Sequence, residues 1–304
     1  MKALVTGGSG FLGRYIVQEL VKQQIETIAY DVCDPSGMIP AEGNVRSPCT
    51  YVKGDVLDCE QITEAMQGCD LVFHTAAIAD IEAARNNPLS TLEINILGTA
   101  KCLESAKQAG VKRFVYASSV YAAGNKGSIY RISKQTGESL CKTYHEEYGL
   151  DCTIMRYGSL YGSESNPWNP IYRICKSIMT TGEFTYNSSP DSIREYIHIK
   201  DAARETVRIA ADPAFANKSV MITGHQRIKI RELFFMIQEI IGKEVKISYK
   251  PSENRFHYVM TPYSFEADVP MRVNLSTYVD ISEGLLDCLR AIRQEMNPND
   301  TDNE

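Results

Sequence analysis

No run of eighteen or more apolar residues occurs in the 304-residue chain, so nothing in it has the length to cross a bilayer as a helix. A basic excess is missing too: 32 lysines and arginines face 38 acidic residues, for a net charge of −6. That balance argues against nucleic acid as the main partner, although one small phosphorylated ligand needs only a few local donors. Cys-x-x-Cys pairs are absent, and the nine cysteines (33, 49, 59, 69, 102, 141, 152, 175 and 288) are odd in number. Neither a zinc site nor a disulfide framework follows, and reduced thiols in a cytoplasmic protein are the expectation. The histidines lack ligand spacing, so no metal is expected. Nor is a signal peptide, because Ala3-Leu4-Val5 runs directly into Gly7 and Gly8. There is no internal repeat.

What remains is a globular composition, 43% hydrophobic and 23% charged, with enough chain for one large domain or two lobes sharing a core. The first half alternates short apolar runs with amphipathic stretches, the pattern of βαβ units around a parallel sheet. Strands are expected at Lys2–Val5, Thr27–Tyr30, 50–53, 70–74, 113–117 and 152–156. Helices are expected at Phe11–Lys22 and near 59–67, 88–109 and 130–148. Residues 34–49 carry three prolines and read as a loop. In the 130–148 helix Ile132, Leu140, Tyr144 and Tyr148 fall on one stripe. After Gly158 the pattern breaks into shorter pieces. The expected architecture is α/β, a Rossmann-type doubly wound parallel sheet with a smaller, interleaved C-terminal substrate lobe. The nucleotide domain would take 1–157 plus returning segments near 194–223. The lobe would take about 158–193 and 224–296, and 297–304 would be a disordered polar tail.

Thr6-Gly7-Gly8-Ser9-Gly10-Phe11-Leu12-Gly13 follows the first strand and opens a helix. Three glycines allow a tight turn, approach of a pyrophosphate and close helix–strand contact. The helix N-terminus then offers free N–H groups to that anion. The spacing is GxxGxxG rather than GxGxxG, but strand, turn, helix and Asp31 at the end of the next strand stand in the order a dinucleotide site needs. A carboxylate at Asp31 would accept both adenosine ribose hydroxyls and repel a 2′-phosphate, which favours NAD over NADP.

Tyr130 and Lys134 stand one helical turn apart. A phenol is a poor base at neutral pH, with a free pKa of about 10, and a nearby ammonium favours its phenolate. That makes Tyr130 a candidate general base. Ser118-Ser119 close the 113–117 strand, where a hydroxyl could hold a substrate oxygen; the residues alone leave both open. His74 ends an apolar strand, and with Tyr130 as the base it is expected to be structural.

With these motifs the chain resembles an extended short-chain dehydrogenase/reductase, of the NAD-dependent epimerase/dehydratase group that includes UDP-glucose 4-epimerase. The resemblance runs to about residue 292. It is carried also by Gly54-Asp55-Val56, His74-Thr75-Ala76-Ala77, Asn95-x-x-Gly98-Thr99, Arg156, Tyr161-Gly162 and Arg194-Glu195-Tyr196-Ile197-His198-Ile199-Lys200-Asp201. It implies an enzyme of carbohydrate biosynthesis with Ser119, Tyr130 and Lys134 as catalytic residues, Ser118 remaining an alternative to its neighbour. The cofactor NAD would be held by Gly7, Gly10, Phe11, Leu12, Asp31, Asp55, Val56, Ala76, Ala77, Asn95, Tyr130 and Lys134. A nucleoside-diphosphate sugar would meet Ser119, Ser159 and Arg194, the arginine on the diphosphate. A homodimer through the 88–109 and 130–148 helices is also implied.

Three departures from the family pattern narrow the reading. Only five residues separate Gly124 from Tyr130, less than half the usual loop, which leaves the sugar site more open. Val120 and Tyr121 follow the catalytic hydroxyl where dehydratases and decarboxylating enzymes place an acid, so elimination of water is not expected. Ser159 replaces an asparagine. The leading expectation is a C4 epimerase. The alternatives are a 4-dehydrogenase that releases the keto sugar, and a non-catalytic dinucleotide-binding regulator. The aromatic segment Arg255–Phe265 could stack on a nucleotide base or fill a core.

Overall fold

The apolar runs of the first half become strands because, apart from the edge strand at 49–53, they are buried on both sides, as a parallel sheet between helical layers requires. The computed structural model describes residues 1–33, 49–250, 271–272 and 277–296. The aromatic segment, the tail and most of the proline loop lie outside them. The nucleotide half contains β1 (Lys2–Thr6), α1 (Phe11–Lys22), β2 (Glu26–Asp31), β3 (Cys49–Lys53), α2 (Cys59–Met66) and β4 (Leu71–His74). It continues with α3 (Ile81–Asn86), α4 (Pro88–Leu92), α5 (Thr99–Gln108), β5 (Arg113–Ser119), α6 (Ser128–Tyr148) and β6 (Asp151–Tyr157). There follow β7 (Ser159–Tyr161), α7 (Pro170–Thr181), β8 (Glu183–Tyr186), β9 (Ile193–His198), α8 (Ile199–Ala211) and β10 (Ser219–Ile222). The last elements are β11 (Arg227–Lys229), α9 (Ile230–Ile241), β12 (Lys246–Tyr249), β13 (Met271–Arg272) and α10 (Ile281–Met296).

Seven strands run parallel in the order β10-β6-β5-β4-β1-β2-β3, and the two-residue β13 extends the β10 edge. The chain reverses direction across the sheet between β1 and β4, the crevice where open α/β sheets bind ligands. Period-two alternation divides the core. Val115 and Ala117 of β5 face α1 and α8, whereas Phe114 and Tyr116 face α2, α5 and α6. A third apolar cluster joins α7, α9 and α10 with Phe184 and Ile228. Of the segment near 194–223, α8 and β10 return to the main sheet, whereas β9 pairs with β7 and β11 in a small separate sheet. Asn169 caps α7 through the N–H groups of Ile171 and Tyr172, with Pro170 in the first helical position.

Three differences from the sequence expectation bear on the site. The 88–109 helix is broken by a π turn at Glu93–Gly98, the kind of bulge that re-aims one side chain, and here it carries Asn95. Strand β5 runs two residues further than expected, so Ser118 and Ser119 lie inside it and obey its alternation. The apolar stripe of α6 is only in part its buried face: Leu140 and Tyr144 pack against the core at half burial. Ile132 and Tyr148 are exposed, while Tyr130, Ser133, Lys134, Gly137, Glu138 and Cys141 are buried. Apolar periodicity misses that face because it is largely polar.

Candidate active site

Every candidate residue of the nucleotide half sits at or just beyond the C-terminal end of a strand or on a helix covering that edge. After β1, Gly7 takes a left-handed φ of +68° and accepts the Gly10 N–H at 2.9 Å. A Cβ on Gly13 would lie 2.0 Å from the Gly7 carbonyl oxygen, so the helix can come this close only with glycine there. At Gly10 a Cβ would meet only that same oxygen, at 3.1 Å, and would otherwise project into open space. The space lies beside the free N–H groups that open α1, the groups to which a pyrophosphate can be held.

Asp31 ends β2 and faces this turn. Its Oδ2 accepts the Ser9 N–H and its Oδ1 the Cys33 N–H, both at 3.0 Å. Each carboxylate oxygen keeps a lone pair for a further donor. Behind it Tyr30 donates to the Asp55 carbonyl at 2.9 Å, which sets Asp55 at the mouth and Val56 below it, buried. Phe11 is buried, whereas Leu12, Ala76 and Ala77 are half-buried along the same edge.

Asn95 stands behind the pocket wall. Its Oδ1 accepts the Ile78 N–H, and its amide donates to the Ile78 carbonyl and to Ser133 Oγ. It is 1% exposed, and these bonds use both of its amide hydrogens, so it shapes the segment after β4 rather than reaching into the cleft. His74 is equally enclosed. Its Nδ1 pairs with Thr6 Oγ1 at 2.8 Å and its Nε2 with Thr99 Oγ1 at 2.9 Å. Burial, reinforced by the Lys134 charge, pushes its pKa down to about 3, which leaves it a neutral tie between β1, β4 and α5.

The alternation of β5 separates its two serines. Ser118 turns to the α6 side and donates to Glu138 Oε1 at 2.5 Å. Ser119 lies beside the Tyr130 phenol, close enough to pull its pKa down. The Lys134 ammonium donates to the Ala117 carbonyl at 2.7 Å, 5.8 Å from the centre of the Tyr130 ring. Burial raises the Tyr130 pKa to about 12 against the opposing pull of Ser119. Burial lowers that of Lys134 to about 8, with the Glu138 charge pulling the other way. The ligand-free site at neutral pH therefore holds a neutral phenol beside an ammonium.

The remaining candidates lie on the small sheet. Ser119 pairs with Tyr157 across β5 and β6, and half-buried Ser159 follows two residues later. Ser159 in turn pairs with Tyr196 of β9, two residues beyond the buried Arg194. Arg194 Nη1 donates to the Ile193 carbonyl at 2.9 Å, and its guanidinium also bonds the Tyr186 phenol.

The family model described as "NAD dependent epimerase/dehydratase family" matches residues 3–222, from β1 through β10. The chain belongs to that family.

Among its relatives is the UDP-glucuronate 4-epimerase of Thermodesulfobacterium geofontis, 27% identical over 307 residues and 93% of each chain. The putative UDP-glucose 4-epimerase of Methanocaldococcus jannaschii is 26% identical over 84% of this chain and 88% of that one. In fold the chain is similar to the Bacillus cereus UDP-glucuronic acid 4-epimerase, solved with UDP-glucuronic acid and NAD. That match has a TM-score of 0.84 at 23% identity and covers 97% of this chain and 100% of the other.

Membership of the family makes NAD the group the glycine turn has to fit. The open space over Gly10 and the lone pairs left on Asp31 meet that requirement. Among the described residues no cluster of three His, Cys, Asp or Glu side chains could hold a metal, and no helix is long and apolar enough to cross a membrane. The sequence analysis did not single out Glu138, although its four-residue spacing from Lys134 places it on the stripe that carries Tyr130. Gln135 was missed as well; its amide donates to the Ala122 carbonyl at 2.8 Å and ties α6 to the turn after Ser119. No pattern in the sequence signals that contact.

Proposed function

We propose that the protein is an NAD-dependent nucleotide-sugar epimerase that acts on the C4 hydroxyl of a nucleoside-diphosphate sugar. The observation that carries the reading is the grouping of Ser119, Tyr130 and Lys134 at the strand ends of the sheet that holds the glycine turn. NAD, when bound, supplies the acceptor and then the donor of the hydride, and its cationic ring favours the phenolate. Gly7, Gly10, Phe11 and Leu12 hold its pyrophosphate, Asp31 its adenosine ribose, Asp55 and Val56 the adenine, and Ala76 and Ala77 line its path. Lys134 holds the second ribose, and Asn95 fixes the wall behind it.

Tyr130 accepts the proton of the C4 hydroxyl while Ser119 orients that oxygen, and the phenol returns the proton when the carbonyl is reduced. Lys134 stabilises the phenolate as the only cation on the buried stripe of α6. The described residues of 158–193 and 224–296, with the small sheet that includes β9, form the lobe over the sugar nucleotide, and Ser159 and Arg194 serve its diphosphate. Elimination of water is disfavoured at this site. Where a dehydratase places an acid after the hydroxyl, Val120 packs on Met221 and Tyr121 sets its ring edge against Tyr130.

The reading extends to a cytoplasmic homodimer. Leu89, Leu97, Ile132 and Tyr148 are large apolar residues left exposed along α4, the π turn and α6, the helices through which the pairing would run.

The test is purified protein against a panel of nucleoside-diphosphate sugars, with products resolved by proton NMR and nicotinamide absorbance followed in parallel. An epimerase interconverts C4 epimers with no net change in absorbance. Stoichiometric reduced cofactor and a released ketone would assign a 4-dehydrogenase, and NAD binding without conversion of any sugar would assign a regulator.

A further inference from the structure

The catalytic scheme leaves unused the one buried carboxylate on the helix that carries Tyr130 and Lys134. Glu138 is 5% exposed and lies one turn beyond Lys134, so that Tyr130, Lys134 and Glu138 form a single stripe on α6. Three consecutive residues of β5 meet that stripe. Ser119 lies beside Tyr130, the Ala117 carbonyl accepts from Lys134, and Ser118 donates to Glu138. On the neighbouring strand Arg156 stands in register with Ser118 and forks onto the same carboxylate, Nε to Oε1 at 2.9 Å and Nη2 to Oε2 at 2.7 Å.

We propose that Glu138 is a positioning residue for the Tyr130–Lys134 couple, acting through the Ser118 hydroxyl, the Arg156 fork and its charge one turn from the ammonium. The proposal rests on the reading of Tyr130 and Lys134 as the reacting pair. A buried ion pair contributes little net stability, because desolvation offsets the Coulomb attraction, so a tie between α6 and β6 does not by itself call for charge. An ammonium confined in a dry cleft does. The other titratable groups around Lys134 are Tyr130 and Cys141 on its own helix, Tyr116 on β5 and His74 on β4. Burial keeps all four neutral near pH 7: the phenols and the thiol are pushed up, and the imidazole is pushed down. That leaves Glu138 and its partner Arg156 as the charged pair that biases the ammonium.

A charge role and a purely mechanical role predict different signs. Glu138→Gln keeps an oxygen for Ser118 but removes the negative charge, so Lys134 loses its proton at lower pH. Arg156→Gln leaves the carboxylate unopposed, so Lys134 holds its proton to higher pH. The readout is the Cε resonance of Lys134 in full-length protein carrying carbon-13 lysine, assigned by its loss in Lys134→Met. Opposite displacements of about one pH unit are expected, in the range a nearby charge produces. In Glu138→Gln the alkaline limb of kcat should move with the resonance while KM stays within about two-fold.

If Arg156→Gln does not fold, the double variant Glu138→Gln, Arg156→Gln removes both charges. Its Lys134 should then titrate between Glu138→Gln and wild type. A Lys134 titration unmoved in Glu138→Gln, or moved the same way in both single variants, overturns the proposal. Absence of turnover on every sugar nucleotide would defeat the proposed activity alone, because the lysine titration needs no substrate.

Discussion

Lys134 donates its ammonium to the carbonyl of Ala117, two residues before Ser119 on the same strand, and so binds α6, with Tyr130, to the strand that carries the proposed catalytic hydroxyl. That single contact means a lysine variant and a tyrosine variant should fail differently.

Tyr130→Phe removes only the phenolic oxygen from a buried ring and should leave folding and NAD affinity within a few-fold of wild type. Loss of a positioned general base typically costs about 10² to 10⁴ in rate. Turnover on the true sugar nucleotide should fall by that order, with Ser119→Ala resembling it. Lys134→Met should lower turnover and weaken NAD binding together. Steady-state kinetics with calorimetric titration of NAD separates the two patterns. A Tyr130→Phe enzyme turning over within a few-fold of wild type would remove the phenol from the mechanism.

Lys134 also makes stability depend on pH with a definite sign. Its pKa falls from 10.5 in the unfolded chain to about 8 in the fold, because burial disfavours the charge. Below pH 8 both states are protonated and the fold bears the full cost of the buried ammonium, on the order of 3 kcal/mol. Between pH 8 and 10 the unfolded chain binds more protons, so this contribution turns in favour of the fold as pH rises. Denaturant unfolding from pH 7 to 9.5 should therefore show wild type gaining on Lys134→Met. Above pH 10 both proteins should lose stability alike, since burial raises the Tyr130 pKa and the unfolded phenol ionises first. Parallel curves for the two proteins would contradict the burial argument.

On the proposed reading, Asp31 sets the choice of cofactor. Its carboxylate stands beside the Ser9 N–H, where an added 2′-phosphate would face it. NAD(H) should bind at least about ten-fold more tightly than NADP(H), which is 1.4 kcal/mol or more. Asp31→Asn should narrow the gap by weakening NAD and relieving the repulsion of NADP. Equal or reversed affinities of the wild-type protein in calorimetry would count against the assignment.

Assembly can be tested on the exposed apolar residues. Light scattering at micromolar concentration should give a dimer mass. Leu97→Asp with Ile132→Asp should shift it toward the monomer without unfolding, because both side chains are already more than two-fifths exposed in the isolated chain, at 47% and 42%. A strictly monomeric wild type would rule out this surface as a permanent interface.

The positions of the first six strands along the chain, the glycine turn and the place of Asp31 were determined by local sequence. A buried parallel strand needs a continuous apolar run, and a tight turn needs glycine, so both leave their mark residue by residue. The Tyr-x-x-x-Lys pair was legible for the same reason, since a helix turn fixes its own spacing. Only the tertiary structure separates Ser118, bonded to Glu138, from Ser119 beside Tyr130, because strand alternation acquires a direction only once a helix covers one face of the sheet. It alone exposed the stripe at Ile132 and Tyr148 and buried Glu138. Apolar periodicity records where water is excluded by hydrocarbon, whereas this face is dry because polar groups satisfy one another across α6, β5 and β6. It alone drew Asn95 out of the cleft, through a π turn that no residue type announces. Those decisions depend on contacts between residues 17 to 38 positions apart, Asn95 with Ile78 and Ser133, and Ser118 with Glu138, which no local pattern encodes.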